Sequence, residues 1–282
     1  MATSPSWRSW RWINGGIRPF KGGLPLSDRG FRYGQHLFES IAIRGGAALL
    51  AAEHLAILTA SAKIYGIPFP RSLVAKLRDF LKDVSLANGM LRLYLTAGPG
   101  APASPITKPG LYLTWESAHF PTQRESEKGY DVVLLKKPFL GEGWGVKSGN
   151  YIPHIETLRS AREAGAQEAI VCDQEGRIIS CAMGNLLLWI PGSRSENEPL
   201  LCTPSPAVGA RPGAVLKWVQ RQAPVVEREL HVTDLLRASA LAITNSRLGI
   251  MPVTTLDGRQ LSDPAPARAL AENYLYDLLG TP

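Results

Sequence analysis

The stretch DRGFRYGQHLFESIAIRGGAALL, residues 28–50, begins the part of the chain that decides its fold. Its second half alternates in strand fashion from Phe38 to Arg44, and Gly45-Gly46 offers a turn into Ala47–Leu50. A helix is predicted directly afterwards, from Ala52 to Tyr65, because apolar residues recur there at helical spacing. A short hairpin followed by a helix with one apolar face indicates a domain that mixes α and β structure.

The same mixture continues along the chain, with a break in the middle. Residues 117–129 are polar and poor in apolar side chains, which is typical of a linker. We therefore predict an α+β protein of two domains, residues 1–118 and residues 130–282, joined by a linker at residues 119–129. A helix that Pro212-Gly213 opens and a closing amphipathic helix, Pro264–Leu279, belong to the second domain.

Composition narrows the class of protein. The chain has 282 residues, 45% of them hydrophobic, and a formal net charge of +7. Its apolar runs are too short for a membrane span, so we expect a cytoplasmic protein without a membrane partner. The cluster Trp7–Trp12 alternates tryptophan and arginine, but without a nucleic-acid-binding module we interpret it as an arm leading into a first strand. Three cysteines and five histidines show no metal-binding spacing, so no metal is expected.

Several short motifs follow one another in a fixed order. They are Asp28-Arg-Gly-Phe-Arg-Tyr-Gly34, Glu53-His54-Leu55, Arg92 with Thr96-Ala-Gly98, Val146-Lys147-Ser148-Gly149-Asn150-Tyr151, Ala164-Gly165-Ala166-Gln167-Glu168-Ala169 with Asp173, Gly176 and Asn185, Pro212-Gly213, and Thr244-Asn245-Ser246 with Pro252-Val253. Together they resemble the class-IV (fold-type IV) pyridoxal-phosphate-dependent aminotransferases, and most of all the 4-amino-4-deoxychorismate lyases of that family. The resemblance covers most of the chain, roughly from residue 13 to residue 253.

The resemblance implies a fold and a cofactor. It implies a smaller N-terminal α/β domain, a larger C-terminal pseudo-barrel domain, a cofactor held between them, and a homodimer. Lys147 would be the catalytic Schiff-base lysine, because a lysine amine condenses with the aldehyde of pyridoxal 5′-phosphate and afterwards serves as a positioned base. The residues that the resemblance assigns to cofactor binding are Lys147, Ser180, Gly213, Ala214, Asn245 and Ser246. The residues assigned to the substrate carboxylate are Tyr33, Arg44 and Arg92.

Three positions depart from the family pattern. Ile57 stands where the family has an arginine that grips the phosphate, so a charge-assisted contact of about 1.5–3 kcal/mol would be missing. Val215 follows Ala214 where a hydroxyl is usual. Ser180 stands where a glutamate pairs with the pyridine nitrogen, and a serine cannot hold that nitrogen protonated as a carboxylate does. These departures bear on how strongly the cofactor is bound and activated.

The departures favour one activity over its alternatives. A weaker electron sink is more tolerable for a lyase that releases pyruvate and forms an aromatic product than for a transaminase. We therefore expect an enzyme of amino acid metabolism that acts on a small amino-carboxylate by a 4-amino-4-deoxychorismate lyase-like reaction. One alternative is a D-amino-acid or branched-chain aminotransferase. Another is a diverged member in which pyridoxal-phosphate binding is weakened or lost, acting as a different enzyme or as a binding protein.

Overall fold

The computed structural model describes residues 7–70, 72–83, 86–135, 145–192 and 199–280. The chain divides into two compact units, residues 1–119 with 146–150, and residues 120–145 with 151–282. This division differs from the predicted domains in two places. The predicted linker contains a helix that belongs to the second unit, and the segment carrying Lys147 belongs to the first unit.

The first unit is built on one antiparallel sheet with the strand order β2-β1-β6-β5-β3-β4. Its strands are Trp7–Ile13 (β1), Gly16–Pro19 (β2), His36–Arg44 (β3), Ala47–Ala48 (β4), Gly89–Thr96 (β5) and Gly110–Ser117 (β6). Its helices are Arg29–Tyr33 (α1), Ala51–Ile64 (α2) and Leu73–Asp83 (α3). Leu37, Ile41 and Ile43 of β3 belong to one apolar core with side chains of α2 and α3. The opposite face of β3 is therefore left for other contacts, because side chains alternate along a strand.

The second unit is built on a larger mixed sheet with the order β12-β11-β10-β13-β14-β7-β8-β9. Its strands are Tyr130–Leu134 (β7), Glu168–Cys172 (β8), Ile178–Cys181 (β9), Asn185–Ile190 (β10), Leu200–Pro204 (β11), Val226–Arg228 (β12), Ala240–Asn245 (β13), Gly249–Leu256 (β14) and Arg259–Gln260 (β15), which pairs with β14. Its helices are Gln123–Lys128 (α4), Ile152–Glu163 (α5), Ala214–Gln222 (α6), Val232–Arg237 (α7) and Ala265–Leu279 (α8). Strand β9 at one end of the order contacts β10 and β11 near the other end, so the sheet curls on itself around an apolar core.

The predicted α+β class is confirmed, and the curled second sheet occupies the place where a pseudo-barrel was expected. The N-terminal tryptophan and arginine cluster is not an arm before the first strand. It is β1 itself, which pairs with both β2 and β6. No helix in the described part of the chain is long and apolar enough to cross a membrane.

Candidate active site

The first part of the Asp28 motif is a structural anchor. Asp28 caps α1, and its side chain accepts a hydrogen bond of 2.7 Å from the backbone N–H of Gly30. Its other carboxylate oxygen accepts a 2.7 Å bond from the hydroxyl of Thr96, at the end of β5. Asp28 is buried, so the carboxylate ties the short helix to the sheet.

Arg29 is fully buried and serves the same purpose. Its guanidinium donates to the backbone carbonyls of Ala97 at 2.8 Å, Gly98 at 3.2 Å, Ala101 at 3.2 Å and Ser104 at 2.8 Å. Because these N–H groups donate to backbone carbonyls, Arg29 stabilises the loop, and few of its donors remain for a substrate. The motif was recognisable in the sequence only through the family resemblance, and these contacts were not predicted.

The segment 146–150, which carries Lys147, runs beside the start of β3. The backbone N–H of Phe38 donates to the carbonyl of Lys147 at 2.9 Å, and that of Gly149 donates to the carbonyl of His36 at 2.9 Å. The Lys147 side chain is half-buried, and its Nζ lies 4.8 Å from the centre of the Phe38 ring. The amine is therefore held over one face of the sheet, in a cation–π arrangement.

Two glycines allow this segment to lie so close to β3. A Cβ at Gly149 would be 2.2 Å from the His36 ring, and a Cβ at Gly34 would be 2.3 Å from the side-chain oxygen of Asn150. Gly34 also has a φ of 67°, which disfavours any other residue. The imidazole Nδ1 of His36 lies 3.2 Å from the carbonyl of Gly30, and burial lowers the pKa of His36.

The predicted substrate-binding residues lie in three different elements. Arg92 is in β5, and its guanidinium pairs with the carboxylate of Glu116 in β6. Arg44 is the last residue of β3, and Tyr33 is the last residue of α1 and is 42% exposed. The register of β3 and β5, with alternation along each strand, puts Arg92 and Arg44 on the same face of the sheet as Phe38. The ion pair of Arg92 with Glu116 was not predicted from the sequence.

The second unit contains the predicted phosphate-binding helix start. Helix α6 begins after Gly213, which has no side-chain capping bond. The side chain of Asn185 packs against this start, since a Cβ at Gly213 would be 2.0 Å from the Asn185 Oδ1, and the Asn185 Nδ2 donates to the carbonyl of Arg211 at 2.6 Å. The side chains of Ala214 and Val215 are buried, so the first turn of α6 offers backbone N–H groups and no hydroxyl.

The predicted donor Asn245 uses its side chain to shape its own turn. Its Oδ1 accepts from the backbone N–H groups of Arg247 at 3.0 Å and Leu248 at 2.8 Å, and its Nδ2 donates to the carbonyl of Met183 at 3.2 Å. Ser246 follows in the same turn and is half-buried. The phosphate-binding roles of Asn245 and Ser246 therefore stay predictions.

Thr244 is a residue of this region that the sequence analysis missed. It is 1% exposed, and within the described part of the chain its hydroxyl has no hydrogen-bond partner. It lies directly opposite Asn185 in the pairing of β10 with β13, and directly opposite residues of an antiparallel pair share one face of the sheet. Its place beside Asn245 in the closing motif was the only signal in the sequence.

The three departures from the family pattern are all buried. Ile57 in α2 and Val215 in α6 are aliphatic and offer no donor. Ser180 in β9 donates its hydroxyl to the backbone carbonyl of Cys181 at 2.9 Å. Because its proton is used there, the Ser180 oxygen can act toward a ligand only as an acceptor.

A buried carboxylate and a histidine hold the loop between β9 and β10. Glu168 accepts from the backbone N–H groups of Ala169 at 3.0 Å and Met183 at 3.2 Å, and burial is the main cause that raises its pKa to about 7. The imidazole Nδ1 of His154 lies 2.8 Å from the carbonyl of Ala182. Both side chains therefore stabilise this loop, whose Met183 carbonyl also accepts the hydrogen bond from the Asn245 amide. In the sequence, Glu168 was notable only as part of a motif, and no role was predicted for His154.

Comparison with known proteins identifies the family of the chain. The family model of the class-IV amino-transferases matches residues 36–256. The bifunctional aminodeoxychorismate lyase and D-amino acid transaminase of Mycobacterium tuberculosis is 24% identical over 272 residues, covering 89% of this chain and 92% of that protein. The structure of 4-amino-4-deoxychorismate lyase from Pseudomonas aeruginosa has a TM-score of 0.80 and 24% identity, covering 95% and 99% of the two chains.

A second solved structure contains the cofactor. It is a hypothetical aminotransferase from Mycobacterium tuberculosis in its PLP-bound form, with a TM-score of 0.76, 20% identity, and coverage of 97% of this chain and 99% of that chain. These structures are similar to this chain in fold. Because the family model spans most of the sequence, the predicted resemblance is confirmed, and the chain belongs to the class-IV amino-transferases.

Proposed function

We propose that this chain is a pyridoxal-phosphate-dependent enzyme in which Lys147 is the reactive amine. The observation that carries the proposal is the placement of Lys147, whose half-buried amine lies 4.8 Å from the Phe38 ring and whose backbone pairs with β3. The segment that carries Lys147 packs so closely against β3 that position 149 must be glycine. An ordinary surface lysine does not require such close packing of its backbone. The family to which the chain belongs depends on pyridoxal phosphate.

The start of α6 fits the phosphate of that cofactor. A helix start without a side-chain cap presents backbone N–H groups and the positive end of the helix dipole, which together favour a phosphate. Gly213 leaves room for the Asn185 side chain to pack against this start, and the buried hydroxyl of Thr244 lies on the same sheet face as Asn185. The donors present therefore suit an anion, although Ile57 and Val215 contribute none.

The residues of this chain would then divide the work. When bound, pyridoxal phosphate supplies an electron sink for the α-carbon of the substrate. The amine of Lys147 would act as a positioned base that takes the proton from that carbon and then, as an ammonium, gives a proton to the departing three-carbon fragment as pyruvate forms. Arg92 lies opposite Ser40, on the same sheet face as Phe38, and with Tyr33 binds the substrate carboxylate, for which a guanidinium fork is well suited. Arg44 shares that face but lies six residues, about 20 Å, from Phe38 at the far end of β3, so it is too distant to join them.

We propose a lyase-like reaction that releases pyruvate from a small amino-carboxylate, as in 4-amino-4-deoxychorismate lyase. The support comes from Ser180, whose proton is engaged by Cys181, so that it offers the pyridine nitrogen an acceptor without a charge. A neutral partner gives a weaker electron sink than a carboxylate does. A reaction whose product becomes aromatic tolerates this weakness better than transamination.

Aminotransfer is the second candidate, because one relative is named for both activities. Pyruvate release from 4-amino-4-deoxychorismate without any amino acceptor supports the lyase. Exchange of amino groups between D- or branched-chain amino acids and 2-oxoglutarate or pyruvate, with no release from the lyase substrate, supports the transaminase.

The proposal is tested first by an absorbance spectrum. Purified protein mixed with pyridoxal phosphate is expected to gain an absorbance near the visible edge that borohydride removes. Lys147→Ala should abolish this absorbance, whereas Lys63→Ala, at an exposed position in α2, should retain it. An unchanged spectrum in Lys147→Ala contradicts the proposal. No absorbance in the wild-type protein supports the diverged binding protein instead.

We further infer that the protein acts as a homodimer in the cytoplasm. The support for the dimer is the family, together with two exposed apolar side chains five residues apart in the first unit, Leu26 at 75% and Phe31 at 62% exposed. Apolar side chains so exposed are typical of contact surfaces when they cluster. A sedimentation experiment that gives the mass of a monomer at micromolar concentration contradicts the dimer.

A further inference from the structure

Arg211 is a cation without an assigned role, three residues before Ala214, the first residue of α6. It is half-buried, and its guanidinium carbon lies 5.9 Å from the centre of the Tyr151 ring. Within the described part of the chain it forms no ion pair with a carboxylate. Its backbone is held in place, since the Asn185 side chain donates to its carbonyl at 2.6 Å.

The neighbourhood of Arg211 offers donors for an anion. Helix α6 has nine residues, and no side chain caps its first N–H groups. Thr244 supplies independent support, because its hydroxyl is 1% exposed and has no partner among the described residues. The side chain of Thr244 shares a sheet face with Asn185, whose amide oxygen would lie 2.0 Å from a Cβ at Gly213. An unpaired buried hydroxyl is costly, so its retention beside an uncapped helix start points to a ligand that accepts hydrogen bonds.

The first unit does not supply the expected positive charge, because Ile57 stands where the family has an arginine. We infer that Arg211, with the start of α6 and the hydroxyl of Thr244, binds the phosphate group of the cofactor in its place. This inference rests on the proposed function, since it assumes that the ligand is pyridoxal phosphate. Arg211 would bind the phosphate group, whereas Lys147 would react with the aldehyde.

A comparison of two ligands isolates the contact with phosphate. Pyridoxal phosphate and pyridoxal share the ring and the aldehyde and differ in the phosphate alone. In Arg211→Ala the dissociation constant of pyridoxal phosphate should rise by about 10- to 100-fold, as expected for a lost hydrogen bond to a charged group, while that of pyridoxal stays unchanged. Arg211→Lys should restore part of the preference for phosphate, because it keeps the charge but lacks the planar fork.

Two further variants guard against a change in folding. Arg211→Gln keeps most of the side-chain stem near Tyr151 and should show the same selective loss. Arg237→Ala, at an exposed arginine of α7, should bind both ligands like the wild type. Equal weakening of both ligands in Arg211→Gln, or no weakening of either, overturns the inference.

Inorganic phosphate provides a probe that does not need the lysine. In calorimetry the wild-type protein and Lys147→Ala should both bind inorganic phosphate, and Arg211→Gln should bind it at least about tenfold more weakly. If phosphate binds and Arg211→Gln weakens it, but no Lys147-dependent absorbance appears, the proposed function fails and the anion site stands. If the absorbance appears but Arg211→Gln binds inorganic phosphate as tightly as the wild type, the inference about Arg211 fails and the proposed function stands.

Discussion

The turn around Asp28 and Arg29 and the region around Gly213 and Thr244 use buried polar groups in opposite ways. In the first, the carboxylate and the guanidinium are hydrogen-bonded inside the same unit, to backbone groups and to Thr96. In the second, the helix start has no side-chain cap and the Thr244 hydroxyl has no partner among the described residues. A buried polar group with partners stabilises the fold, whereas one without partners is available to a ligand at a cost in stability. Both regions lie within sequence motifs of the family, so the motifs alone do not distinguish these two uses.

The largest effect is expected at Arg29. Arg29→Ala removes a guanidinium that is 0% exposed and leaves four backbone carbonyls without their donor. We expect a loss of about 3–5 kcal/mol in the free energy of unfolding, measured by urea denaturation. Arg32→Ala, at an exposed position in the same helix, should change it by less than about 0.5 kcal/mol. If Arg29→Ala and Arg32→Ala lowered the free energy of unfolding equally, the buried hydrogen bonds of Arg29 would not be what stabilises this region.

A second prediction concerns Glu168, a buried carboxylate that accepts backbone hydrogen bonds. It asks whether those bonds keep the side chain ionised at neutral pH or whether burial keeps it protonated. The pKa of Glu168 is raised from 4.5 to about 7, mainly by burial. Between these two values the folded chain keeps a proton that the unfolded chain has lost, so stability falls as the pH rises through this window and is level above it. The total fall is expected to be about 3 kcal/mol.

The measurement is urea denaturation of the wild type and Glu168→Gln at several values of pH. The glutamine variant should lack this part of the pH dependence. Glu127→Gln, at an exposed position in α4, should keep it. Parallel pH profiles of the wild type and Glu168→Gln would show that folding does not raise the pKa of Glu168.

A matched pair of threonines gives the smallest but sharpest test. Thr96 and Thr244 are both buried in strands, and only Thr96 donates to a carboxylate, that of Asp28 at 2.7 Å. Thr96→Val should lower the free energy of unfolding by about 1.5–3 kcal/mol, because it removes a hydrogen bond to a charged group. Thr244→Val should leave it unchanged or raise it by up to about 1 kcal/mol, since it replaces an unpaired hydroxyl with a methyl group. A large destabilisation by Thr244→Val would mean that this hydroxyl has a partner in the unliganded protein.

The sequence predicted the regular elements best where a strong local pattern existed. Strand β3 and helix α2 follow the predicted alternation and helical spacing closely. Helix α4 was missed because residues 117–129 are polar, although its capping box of Thr122 and Glu125 follows a recognisable spacing. Strand β14 was missed because Pro252 argues against a strand interior.

The candidate site could be predicted only in part, for a physical reason. The motif order predicted roles for Lys147 and the start of α6, and these roles stay predictions. Contacts between distant segments, such as the pairing of residues 147–149 with β3 or the ion pair of Arg92 with Glu116, depend on strand register. Neither local alternation nor the order of the motifs reveals which residues of two distant strands lie opposite each other, so these contacts were not predicted.

Residues 146–150 complete the edge of the first unit from far along the chain, with the second unit on both sides of them in sequence. A polypeptide cut at residue 119 would leave the backbone groups of His36 and Phe38 without the partners that Gly149 and Lys147 provide. Exchanging the first unit with that of another family member therefore requires two separate grafts. An engineer who moved residues 1–119 alone would leave Lys147, the proposed reactive amine, behind.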